Sequence, residues 1–134
     1  MIGLDQVWLV WLFLPSMEFN EYQIKAARTC VYQDVFTGLP ATQDAQDHIL
    51  NPSLGLAGES GEFCDMVKKV MYHGHTMDKD KMVKELGDIL WYISTASSAL
   101  GVTLNEVAEL NVKKLEKRYP EGFSHEASIN RIDK

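Results

Sequence analysis

Asp78 to Gly101 reads DKDKMVKELGDILWYISTASSALG, and its periodicity decides the fold. Met82, Val83, Leu86, Ile89, Leu90 and Ile93 recur mostly at three- and four-residue separations, which on a 3.6-residue helix gathers them on one wide apolar face. Asp78 is a residue type that caps helix starts, and Gly101 after Leu100 is the type that ends them. Upstream, Asn51-Pro52-Ser53 places a proline where a helix begins. From there Leu56, Phe63, Met66, Val67 and Val70 form an apolar stripe to about Tyr72, with Lys68 and Lys69 suited to the negative end of the helix dipole. His73-Gly74-His75 separates the two helices. Downstream, Thr103 and Glu106 spell a capping box, so a further helix runs from there to Tyr119 and stops at Pro120. Residues 120–134 read as a polar tail. A first helix carries the apolar positions Phe19, Tyr22, Ile24, Ala26, Ala27, Cys30 and Val31, with Asn20 as the candidate N-cap ahead of Glu21, and ends before Gly38-Leu39-Pro40; residues 41–48 read as a polar connection. No stretch alternates with period two, so the class is all-α, with four helices in a bundle.

At 134 residues, 46% hydrophobic and 24% charged, the chain has the size and composition of one globular domain. Thirteen Lys+Arg against nineteen Asp+Glu, a net charge of −6, excludes a protein that holds a nucleic-acid polymer by phosphate neutralisation. Cys30 and Cys64 form neither a CxxC pair nor a disulfide framework, which fits a reducing cytoplasm.

Residues 1–16, MIGLDQVWLVWLFLPS, differ from the rest. The apolar run Val7 to Leu14 is far shorter than the roughly 20 residues a membrane span needs, no basic residue precedes it, and Leu14-Pro15-Ser16 offers no small-residue cleavage pattern. With Met17 following at once, the segment reads either as a start assigned too far upstream or as a hydrophobic arm that packs on a partner chain. The domain proper is residues 17–134.

The chemistry lies in carboxylates of the two inner helices. Glu59 and Glu62 are three apart, as are Glu85 and Asp88, so each pair shares one side of its helix. Both pairs sit among Leu56, Phe63, Leu86 and Ile89, with Gly61 and Gly87 beside them to permit close approach. If the helices pack antiparallel, four carboxylates converge and cannot all ionise without a cation. A hard, all-oxygen donor set favours Mg²⁺ or Mn²⁺. A single ExxE carries little weight, since Glu106 and Glu109 repeat the spacing on a solvated face. A carboxylate-bridged di-iron site needs Glu-x-x-His, and none of His48, His73, His75 or His125 has a glutamate three residues before it. His73 and His75 are a candidate metal clip, but histidines in a helix-ending loop are more often solvated.

On the last long helix Asn111, Lys114 and Arg118 fall at steps of three and four, followed by Tyr119. An amide, an ammonium and a guanidinium on one face suit phosphate oxygens. The plainer account is that Lys113, Lys114, Lys117 and Arg118 complement a helix C-terminus. The mid-helix Asn111, which propensity disfavours, tips the reading toward substrate contact. Lys69 is a weaker candidate of the same kind.

Together, Gly55-Leu-Ala-Gly-Glu59-Ser-Gly-Glu62 with Asp65 and Lys68-Lys69, Lys84-Glu85-Leu-Gly-Asp88-Ile-Leu-Trp91-Tyr92, and Asn111-Val-Lys-Lys114-Leu-Glu-Lys-Arg118-Tyr119 resemble the MazG-type all-α nucleoside triphosphate pyrophosphohydrolases. The likeness extends over residues 17–134. The tail Tyr119-Pro-Glu-Gly-Phe-Ser and Ser128-Ile-Asn-Arg131 also resembles members with the His-Gly-His loop. The resemblance implies Mg²⁺-dependent hydrolysis of a nucleoside or deoxynucleoside triphosphate between its α and β phosphates, giving a monophosphate and pyrophosphate. It also implies that the bundle is completed by dimerisation, as a dimer or a dimer of dimers. Glu59, Glu62, Glu85 and Asp88 would then hold metal, with Glu59 or Glu62 helping to deprotonate water. Asn111, Lys114, Arg118 and Tyr119, with Lys69, would bind substrate, and Trp91, Tyr92 or Tyr22 would meet the base. One departure stands out: many relatives carry a glutamate immediately before the first motif acid, where this chain has Gly58. The competing reading is a non-catalytic helical dimer, a nucleotide sensor or regulatory protein on the same scaffold.

Overall fold

A computed structural model of the chain describes residues 16–30 and 43–131. Among these, α1 is Phe19–Ala27, α2 Gln43–Tyr72, α3 Lys79–Ala99, α4 Leu104–Arg118 and α5 His125–Asn130. The described residues hold helices and no strand, in accord with the all-α expectation. The hydrophobic stretch up to Pro15 and the segment 31–42, where the first helix was expected to end, lie outside the described residues.

The long α2 and α3 form an antiparallel hairpin, the main packing unit, with α1 laid across α3 and the start of α4. Asp78 caps α3 as expected, its Oδ1 accepting from the Lys81 N–H at 3.1 Å. Gly101 ends α3 with φ +71°, a left-handed conformation that glycine adopts without strain.

Four expectations are corrected. α2 starts at Gln43, not near Asn51, because residues 43–50 include the good helix formers Gln, Ala and Leu. Pro52 therefore lies inside the helix, unable to donate a ladder hydrogen bond, and its ring is fully buried instead. α1 is capped at Glu18 rather than Asn20 and stops at Ala27. There Thr29 Oγ1 donates to the Ala26 carbonyl at 2.9 Å and turns the chain before Cys30. The tail contains α5, started by Ser124, whose side chain accepts from the Ala127 N–H. Finally, the apolar face of α3 is only partly covered: Met82, Ile89, Leu90 and Ile93 are half-buried, whereas Val83 and Leu86 are 56% and 50% exposed.

The junction of α1, α3 and α4 satisfies every orphan donor at the start of α4. The Thr103 N–H donates to Glu106 Oε2 at 2.7 Å and the Glu106 N–H to Thr103 Oγ1 at 3.1 Å, the reciprocal capping box read from the sequence. The Leu104 N–H donates to Gln23 Oε1 at 2.8 Å, and the Asn105 N–H to Asn20 Oδ1 at 3.2 Å. Asn20 thus caps α4 rather than its own helix. Gln23 is 2% exposed, and its amide nitrogen also donates to Ser98 Oγ and the Val102 carbonyl at 3.0 and 3.1 Å. A buried amide with all these partners clasps α1 onto the other two helices.

Candidate active site

The hairpin brings together acids that are far apart in sequence. Carboxylate oxygens of Glu59 on α2 and of Glu85 and Asp88 on α3 all lie within 4.8 Å of one another. Glu59 and Glu85 are half-buried and Asp88 is exposed. Partial burial, together with the charges of Glu62, Asp88 and Glu85, holds the Glu59 carboxyl above its usual range. Glu62, exposed and one turn along α2, stands outside this closest trio, but among the charges its effect on Glu59 is the largest. Neighbouring cations are engaged elsewhere. Lys68 and Lys69 both pair with Asp65, the latter at 2.7 Å, and lower that carboxyl to about 2. Lys81 reaches Asp78 at 3.7 Å.

The helix period explains the convergence. Glu59 points from α2 toward the α3 side that also carries Glu85 and Asp88, while Gly55, one turn before Glu59, receives the Tyr92 ring. A Cβ at Gly55 would sit 2.1 Å from that ring, so glycine is required for the helices to close here. Among the described residues, nothing lies within 4 Å of the position a Cβ would take at Gly58, Gly61 or Gly87.

The aromatic candidates are held by the fold. Trp91 Nε1 donates to Thr29 Oγ1 at 2.8 Å, and its ring meets Tyr92 edge-on at 4.9 Å. Tyr22 on α1 is half-buried, and burial followed by the charge of Asp88 raises its hydroxyl pKa. That places α1 beside the acids.

The residues expected to bind substrate lie on α4 and at its end, a different helix from the two that carry the acids. Asn111 and Lys114 are exposed, and α4 packs on α1 and α3. The Arg118 guanidinium lies 5.8 Å from the centre of the Tyr119 ring, within cation–π range. Tyr119 in turn packs against Phe123 at 5.4 Å. His73 and His75 are exposed at the hairpin, their backbone N–H groups both donating to the Lys69 carbonyl, and neither joins the acid trio.

One feature of the hairpin is absent from the sequence reading. A cleft of about 740 Å³ opens between the end of α2 and the start of α3, reaching from the histidine loop to Glu85. The helix break at His73-Gly74-His75 and the Asp78 cap were visible signals, but a cleft between two helices depends on how they splay.

The acid trio draws on ExxE of one helix and ExxD of the next. The family model of the MazG nucleotide pyrophosphohydrolase domain matches residues 49–123, more than half of the chain and including all four motif acids. The chain belongs to this MazG family. A relative named Gene 37 protein, from Mycobacterium phage L5, is 29% identical over 119 residues, covering 86% of this chain and 100% of its own. No solved structure matches. Among the described residues of this MazG-family chain, no helix is long and apolar enough to cross a membrane.

Proposed function

We propose that this chain is a cytoplasmic nucleoside triphosphate pyrophosphohydrolase, cleaving ribo- or deoxyribonucleoside triphosphates between the α and β phosphates. The observation that carries the reading is the convergence of Glu59, Glu85 and Asp88 within 4.8 Å, inside a span that matches the MazG domain. Three hard oxygen donors at mutually repulsive distance, one with its carboxyl pushed up by partial burial and by the charges of Glu62, Asp88 and Glu85, are a donor set suited to Mg²⁺ or Mn²⁺. Glu59, Glu85 and Asp88 would hold the ion, with Glu62 one turn away as a further ligand. When bound, such an ion neutralises phosphate charge and acidifies water.

The chain's own residues supply the rest. A carboxylate, Glu59 or Glu62, accepts a proton from water as its oxygen attacks phosphorus in line. The P–O bond between the α and β phosphates breaks, and pyrophosphate leaves. Asn111, Lys114, Arg118 and Tyr119 steady the triphosphate and offset charge on the leaving group. Those residues lie on α4, so a second copy is the natural means of presenting them to the acids. Exposed Leu54, Met71, Val83, Leu86 and Leu110, between 50% and 66% accessible, support a homodimer or a dimer of dimers that covers them.

The test is release of pyrophosphate from a panel of nucleoside triphosphates with and without Mg²⁺. Asp88→Asn and Glu62→Gln are expected to lower turnover about ten- to a hundredfold while leaving the far-ultraviolet spectrum intact. Undiminished turnover in both variants, or none in the wild type, overturns the reading. Gly58 favours a second reading, a nucleotide sensor, which predicts tight Mg²⁺-dependent binding without products.

A further inference from the structure

We infer that the cleft between α2 and α3 at the histidine loop receives the nucleobase, and that it selects bases carrying an amino group. This rests on the nucleotide reading above and places the base in the cleft instead of against Trp91, Tyr92 or Tyr22, none of which lines it. The cleft holds about 740 Å³ and shares Glu85 with the acid trio, so a nucleotide whose phosphates meet the acids has its nucleoside within reach of it.

The lining discriminates between the two ends of such a ligand. Met66, Val70 and Met82 give it an apolar floor, and thioethers pack well on flat aromatic rings. The rim carries His75, Thr76 and Asp78. A phosphate tail fits this lining poorly. Lys69 is engaged by Asp65, and Glu85 and Asp78 contribute negative charge of their own. A planar heterocycle on an apolar floor, with polar groups at its edge, fits it well.

Asp78 gives the selectivity. Its Oδ1 accepts from the Lys81 N–H as the cap of α3, and Oδ2 stands 3.7 Å from the Lys81 ammonium. A carboxylate oxygen with capacity to spare accepts hydrogen bonds and donates none, so it pairs better with the exocyclic amino group of cytosine, adenine or guanine than with the single edge N–H of uracil, which is flanked by two carbonyls that repel it.

The experiment is a titration of the full chain with CMP, UMP and inorganic pyrophosphate, followed by the amide NMR signals of residues 74–78, with dissociation constants from calorimetry. CMP is expected to shift these signals and to bind about tenfold more tightly than UMP. Asp78→Asn retains the cap, since asparagine serves there as well as aspartate, and its amide offers both a donor and an acceptor. It is expected to bring the CMP to UMP ratio close to one. Thr76→Val, on the exposed loop, gives a second variant that leaves the helix cap untouched, and it is expected to weaken CMP. Signals moved by pyrophosphate and not by CMP, or a CMP preference unchanged in Asp78→Asn, overturn the inference. An active enzyme whose loop ignores CMP leaves the proposed hydrolysis standing, and an inactive chain that prefers CMP leaves the pocket standing alone.

Discussion

The junction of α1, α3 and α4 and the acid-bearing middle of the hairpin both concentrate polar side chains between helices, yet they treat them in opposite ways. At the junction Gln23, 2% exposed, meets Ser98, Val102 and Leu104 within 3.1 Å, and its polar capacity is used inside the chain. Along the hairpin Glu59, Glu85 and Asp88 crowd one another, and the nearby lysines pair with Asp65 and Asp78 instead. Satisfied burial stiffens a structure, whereas gathered like charge stores a demand for a cation. The first region holds the helices in place; the second is arranged for something from outside.

The largest effect that separates the regions is expected at Gln23. Gln23→Leu keeps the volume but removes partners from the Leu104 N–H and the Val102 carbonyl. Leaving such groups unsatisfied costs about 1–3 kcal/mol each, so a loss near 3 kcal/mol is expected. Urea denaturation measures it. Mg²⁺ affinity of the folded fraction should stay as in the wild type, and a change there would mean that the two regions are coupled.

A smaller effect of opposite sign is expected at Glu59. Its carboxyl is raised in the folded chain, so folding takes up protons between the ordinary carboxylate pKa of 4.5 and the raised value. Stability of the metal-free chain therefore falls as pH rises through that window and stays lower above it. Glu59→Gln removes the penalty: in EDTA its melting temperature at pH 7 should exceed that of the wild type, and the difference should shrink toward pH 4. With Mg²⁺ the order should reverse, because only the wild type gains from binding. A melting temperature lower than wild type in EDTA at pH 7 would remove the contrast between the regions.

The two regions were unequally legible in the sequence. The hairpin acids could be read because ExxE and ExxD are local patterns, and local spacing fixes which side of a helix a residue shares. The capping box of Thr103 and Glu106 was legible for the same reason. The Gln23 clasp was not, since its partners lie at 98, 102 and 104 and nothing local marks a glutamine as buried. Asn20 misled for a related reason: its side chain caps a helix distant in sequence. The α2 start was missed because Pro52 carries the signature of a helix opening, and burial of its ring between helices is a tertiary fact. Val83 and Leu86 fit the apolar period yet are exposed, because periodicity tells which face is greasy and not what covers it.

The smallest effect bears on that last point. Gly58, Gly61 and Gly87 lie in helix interiors with nothing near the position a Cβ would take, and glycine there costs roughly 0.5–1 kcal/mol relative to alanine. At Gly55 the Tyr92 ring explains the glycine; at Gly58 nothing among the described residues does. Gly58→Ala is therefore expected to stabilise the chain by about 0.5–1 kcal/mol, read from its urea midpoint at low micromolar concentration. Repeating the measurement at tenfold steps of concentration turns the substitution into a probe of what approaches the acids. A gain independent of concentration assigns the open strip to solvent or ligand. A gain that becomes a loss as concentration rises places a second copy of the chain against α2, next to the carboxylates that the α4 row must reach.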